Sequence, residues 1–217
     1  MQPGCTGSLV TPLNHLTNPL SMRKLLIFMN NFDFEPIKEI TWPEIWADWR
    51  ALEEEHWRAH YQARGYKTWD EWRQKYWQSI KPESRIWSLM KIKNPKTDIP
   101  KFFVGPFRGW AKYYTYRDHS TFADIAKLRL ETENEIPAKY FVNNFPASVR
   151  LIGLQFEDKI MIMEGTHRCL AVSILISQGK SVNFNIEIAL TKLGDQNQEL
   201  FNNLWNNPVQ MPFENEL

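Results

Sequence analysis

Five consecutive residues, Glu164-Gly165-Thr166-His167-Arg168, gather the side chains of this sequence best suited to chemistry. The apolar run Ile160 to Met163 precedes them and a helix-like run from Thr166 to Ser177 follows, so they sit where a strand turns into a helix. A glycine at that point permits a sharp turn and a close approach of the backbone to a ligand. A helix starting near Thr166 points unpaired N–H groups and the positive end of its dipole outward. That arrangement suits a phosphate, to which Thr166, His167 and Arg168 add a hydroxyl, an imidazole and a fork of donors. Glu164, just before the glycine, is placed to bind a metal ion, act as a base or orient a substrate hydroxyl. Glu164 and His167 are therefore the candidate catalytic residues, and Gly165, Thr166, His167 and Arg168 the candidate phosphate-binding set.

Further cations are sought nearby. Arg108 and Lys112 lie beside the Gly105-Pro106 turn, and Arg150 lies on a strand expected to neighbour the motif. Asp118 and His119 are weaker candidates for a base or a metal ligand. Each member of the motif has a structural alternative: His167 as a helix cap, Arg168 in an ion pair, Glu164 as solvated surface. Cys169 reads as a small core residue. His56 and His60 stand one helical turn apart, but no third ligand is suitably spaced, so no dedicated metal site is expected. No Walker loop, serine-hydrolase elbow or paired-cysteine zinc motif occurs.

Strand, Glu-Gly-Thr-His-Arg and helix, with Ala171 three residues beyond, resemble the signature of the ParB/sulfiredoxin superfamily. Its members carry a short glycine–X–(His or Arg)–Arg turn that holds nucleotide phosphates. The resemblance covers roughly residues 97 to 190 and is sharp over 160 to 175. Sulfiredoxin places its catalytic cysteine directly after the glycine, where this chain has Thr166, so sulfinic-acid reduction is not expected. ParB proper, a CTP-dependent partition factor, continues into a helix-turn-helix region, and the stretch after the motif here is too short to hold one. The ParB-like free serine kinases use an Asp-Gly-His-Thr-Arg turn; here Glu replaces Asp, and Thr and His are exchanged. The resemblance implies binding of ATP or another nucleotide, with Mg²⁺ as a candidate companion. It further implies phosphotransfer or phosphohydrolysis on a small-molecule or protein substrate, which it does not name.

The elements that must position these residues can be read from capping and periodicity. Thr41-Trp42-Pro43-Glu44 is a capping box with proline in the first turn. Trp42, Ile45, Trp46, Trp49, Leu52 and His56 then form an apolar stripe that ends at Arg64-Gly65. Thr68 to Glu71 is a second capping box, with Trp72, Tyr76 and Ile80 behind it and Pro82 as the stop. Ile86 to Met90 reads as a short helix or turn, and 93 to 120 as irregular or extended. Ser120 or Thr121 caps a helix from Phe122 to Leu130, with Phe122, Ile125, Ala126 and Leu128 as buried positions. Tyr140 to Val142, Ser148 to Phe156, Ile160 to Met163 and Val182 to Leu190 read as strands. A last helix spans about 195 to 205.

The expected architecture is α+β: a loosely ordered arm at 1–40, a Trp-rich helical hairpin at 41–92, and a ParB/sulfiredoxin-like domain at 93–217 with a small mixed sheet and helices. The ten tryptophans read first as core packing. The alternative is a non-catalytic ligand sensor or protein-interaction module that docks a partner through the hairpin. Net charge is +1, which argues against a dedicated nucleic-acid binder, and a nuclease reading ranks last. Cys5 and Cys169 lie too far apart to suggest a disulfide framework, which favours the reducing cytoplasm. Mean hydropathy is negative and Leu25 to Met29 falls far short of the roughly 20 residues of a membrane helix.

Overall fold

In this computed structural model residues 31–107, 110, 120–132 and 138–206 are described. Six segments pair into one mixed sheet: β1 (Phe34–Ile40), β2 (Trp87–Ile92), β3 (Phe103–Val104), β4 (Ser148–Phe156), β5 (Lys159–Glu164) and β6 (Asn185–Lys192). Their order is β1-β2-β6-β4-β5-β3, with β4–β6 and β3–β5 parallel and the other pairs antiparallel.

Helices cover both faces because the strands bury alternate side chains on opposite sides. On one face Met90, Leu151, Ile160, Ile162, Ile186 and Ile188 pack against α4 (Phe122–Thr132), α5 (Lys139–Asn143) and α6 (Thr166–Ser177). On the other, Leu89, Ile152, Leu154, Met161, Met163 and Ala189 pack against α1 (Trp42–Ala63), α2 (Trp69–Gln74) and α7 (Gln198–Asn206). A single turn, α3 (Pro95–Asp98), leads to β3. The α+β class is thus realised as a helix–sheet–helix sandwich. Among the described residues no helix is long and apolar enough to cross a membrane.

Local chemistry sets the hairpin. The Thr41 hydroxyl accepts from the Glu44 N–H at 3.4 Å, while the Glu44 carboxylate accepts from the Thr41 N–H at 2.8 Å, closing the capping box. Donation to the Glu44 carboxylate by the Thr41 N–H, then the Thr41 hydroxyl and Lys38, holds that carboxyl down at about 2. Gly65 ends the run after α1 at φ +83°, and Thr68 accepts from the Glu71 N–H at 3.1 Å to open α2. The tryptophans pack as core. Trp42, Trp49, Trp69, Trp72, Trp77 and Trp87 are all buried, with Trp42 and Trp77 at 4.6 Å and Trp49 edge-on to Trp69 at 5.1 Å. Trp46 and Trp57 are half-buried.

Several expectations are corrected. Residues 34–40 are an edge strand rather than part of a loose arm; Pro36, which has no N–H to donate, sits at a break in the β1–β2 register. The rest of that arm up to residue 30 lies outside the described residues. The hairpin is therefore inserted between two strands of the sheet instead of being appended to a separate domain. The Ile86 to Met90 segment enters the sheet as β2, buried on both faces, which removes the polar–apolar alternation that marks a strand with one wet face. Tyr140 to Val142 forms helix α5, a short apolar run for which periodicity does not separate strand from helix. The helix from Thr68 is shorter than expected and passes at Lys75 into a 3₁₀ turn. The side chain of Tyr76 lies outside the described residues. Phe122, Ile125 and Ala126 are buried, whereas Leu128 is exposed.

Candidate functional site

The motif sits where β5 meets α6, and a bulge aims its first residue. Ile152 pairs with Glu164 and Gly153 with Ile162, so Met163 is an extra residue on β5. A bulge of this kind turns the following side chain. Glu164 consequently faces the same layer as Ile152, the side covered by the Trp-rich hairpin.

Gly165 then reverses the chain at φ +97°, ψ 15° as the N-cap of α6. A Cβ there would stand 2.3 Å from the Leu151 side chain, so the position demands glycine twice over, by conformation and by space. The Cys169 N–H donates to the Gly165 carbonyl at 2.9 Å, the first turn of α6. No side chain caps this helix start. Thr166 is buried, whereas His167 is exposed and its ring lies 5.0 Å from that of Trp110.

Arg168 turns back across the glycine. One of its terminal nitrogens donates to both Glu164 carboxylate oxygens, to Oε2 at 2.6 Å. The side chains are 15% and 11% exposed, which makes this a nearly buried pair. A second buried pair belongs to the same patch. Arg73 of α2 donates to Glu53 of α1 at 2.5 and 3.0 Å, with its guanidinium 3.9 Å over the Trp72 ring. Burial pushes the Glu164 carboxyl above its ordinary range; Arg168 opposes that shift, Glu53 adds to it and Arg73 opposes it. Two acids and two guanidiniums thus share one poorly solvated junction between the hairpin and the turn.

Arg150 is committed elsewhere. It donates to Asp48 of α1 and, at 3.2 Å, to Glu187 of β6, tying the hairpin to the sheet. Arg108, Lys112, Asp118 and His119 lie outside the described residues. Cys169 is buried, and desolvation pushes its thiol up, as befits a core residue rather than a nucleophile. His60 contacts the rings of Trp57 and Trp72, and burial, then Arg64 and Arg73, lowers its pKa. Among the described residues no three His, Cys, Asp or Glu side chains are grouped to hold a metal ion.

Glu53 and Arg73 were not anticipated from sequence. The stripe of α1 runs through Trp49, Glu53, Trp57 and Tyr61, while Leu52, 65% exposed, and His56 point outward. A lone acid in phase with buried aromatics was the available signal. Compared with protein-family models, with curated proteins and with solved structures, the chain matches none.

Proposed function

We propose that the chain binds a nucleotide through its phosphates at the N-terminus of α6. The observation that carries this reading is Gly165: a left-handed glycine joins a strand to a 12-residue helix whose start has no side-chain cap. Backbone N–H groups and a helix dipole are offered there to an anion. His167, exposed beside Trp110, adds a donor at the rim. The resemblance of the turn to that of the ParB-like free serine kinases favours ATP and phosphoryl transfer to a small molecule.

Phosphoryl transfer needs positioned donors, charge neutralisation and a group to hold metal or accept a proton. Arg168 and Glu164 fit these roles through exchange of partners. An incoming phosphate would take the Arg168 donors, and Glu164 would then be the one carboxylate of the turn to hold Mg²⁺ or to act as a base. Its burial beside Glu53 keeps the released carboxyl basic. Arg150 stays in its ion pairs and takes no part. The reading places the chain in the cytoplasm, with the nucleotide and its acceptor.

The test is thermal stability against ATP, CTP, GTP, AMP and inorganic phosphate, each with and without Mg²⁺, in wild type and His167→Ala. A ligand at about 100 times its dissociation constant stabilises the fold by roughly 2.7 kcal/mol. A midpoint shift confined to one nucleotide and reduced in the variant supports the reading; no shift with any of them sinks it.

The same ion pair also favours a second reading, a non-catalytic protein in which Arg168 serves the fold and binds nothing. It predicts that Arg168→Ala lowers stability while every nucleotide leaves both proteins unchanged. Docking through the tryptophans has less support, because eight of the ten are buried.

A further inference from the structure

On the sheet face opposite the hairpin, α4 and α6 are separated by a cleft of about 350 Å³. Pro100, Ala123, Ala126 and Ile176 give it apolar walls, and Lys127 stands at its rim. Small side chains on both helices keep it open. Ser173 also lines it, 4% exposed, and its hydroxyl finds no hydrogen-bond partner in the structure. A serine within a helix can return its hydroxyl to the carbonyl three or four residues back; Ser173 does not. Neighbouring Ser177 does bond locally, to the Ile174 carbonyl at 2.7 Å. A buried hydroxyl without a partner is costly, and an acceptor arriving in the cleft removes that cost. Ser173 lies two turns beyond Thr166, roughly 10 Å along the helix, so the cleft is separate from the Gly165 turn.

We propose that this cleft is a second ligand site, specific for a small amphipathic carboxylate. The apolar walls take an alkyl or single-ring body, the Ser173 hydroxyl donates to a carboxylate oxygen, and Lys127 supplies the counter-charge. The volume stands at the small end of ligand pockets, about 300–1,000 Å³, which limits the guest to a medium-chain or one-ring acid. A neutral alcohol of equal length fills the same walls without using the ammonium, so charge is the discriminating property.

The experiment is calorimetric titration of octanoate, phenylacetate and 1-octanol into the full chain, without nucleotide, for wild type, Ser173→Ala, Lys127→Ala and His167→Ala. Octanoate or phenylacetate is expected to bind saturably and at least tenfold tighter than octanol. Lys127→Ala should lose tenfold or more, and Ser173→Ala fivefold or more, while the midpoint of unliganded Ser173→Ala stays level or rises. His167→Ala should bind as wild type does. Absence of saturable binding, equal affinity for octanol, unchanged affinity in both cleft variants, or loss of affinity in His167→Ala each overturns the proposal.

Discussion

Arg168 reaches back across Gly165 and donates to both carboxylate oxygens of Glu164, the residue four places before it. One turn therefore holds, in a single ion pair, the cation and the anion on which the proposed phosphate chemistry rests. Removing one member strands the other in a poorly solvated place, which costs about 3–5 kcal/mol for a buried pair. Arg168→Ala should destabilise the fold by an amount near the lower end of that range, and Glu164→Gln with Arg168→Met should restore most of it. Urea unfolding of the single and double variants measures this. A loss under about 1 kcal/mol for Arg168→Ala would place the pair among weak surface pairs.

Gly165 and Gly65 both have positive φ, but only the first is also crowded. Gly65→Ala meets open space and should cost about 1 kcal/mol of strain. Gly165→Ala meets Leu151 as well and should cost clearly more, roughly 3 kcal/mol or above. Chemical denaturation of the two variants side by side gives the comparison; equal losses would mean that the Leu151 contact yields freely.

The raised Glu164 carboxyl gives a pH dependence of definite sign. Between its ordinary value of 4.5 and its raised folded value, the folded chain binds more protons than the unfolded one. At this residue stability therefore rises as pH falls through the raised value toward 4.5, and falls as pH rises. Glutamine imitates the protonated state, so Glu164→Gln should gain on wild type as pH increases across that window. Unfolding free energies of both proteins over a pH series decide it, and a difference that shrinks with rising pH would reverse the assignment.

Arg150 anchors the hairpin to the sheet and stands outside the proposed ligand site. Arg150→Met frees Asp48 and Glu187 and should cost about 1–2 kcal/mol, since the side chain is 31% exposed. Any nucleotide-dependent shift should persist in full. A shift that disappeared would return Arg150 to the phosphate site expected for it from sequence.

What could be read in advance was whatever one stretch of chain decides alone. Thr41 and Glu44 close their own cap, and Gly165 joins β5 to α6, so the hairpin start and the candidate turn are both legible in short windows. The edge strand β1 was not, because Pro36 and the charges Glu35, Lys38 and Glu39 mask a segment that is held by its partner β2. The junction of Glu53 and Arg73 with Glu164 and Arg168 was hidden for a related reason. It forms only when the hairpin lies on the sheet and when helix phase, not hydrophobicity, selects Glu53 over Leu52 for the inner face. The bulge at Met163 likewise depends on the register of β4 against β5.

The central claim is that the start of α6 binds phosphate. Its most direct test is calorimetric titration of Mg·ATP into wild type and His167→Ala, an exposed position beside Trp110, with the unfolding midpoint of each protein checked first. Saturable binding in wild type, weakened at least tenfold in the variant, is the predicted result. The same affinity in both proteins, or no binding in a folded sample, would contradict it.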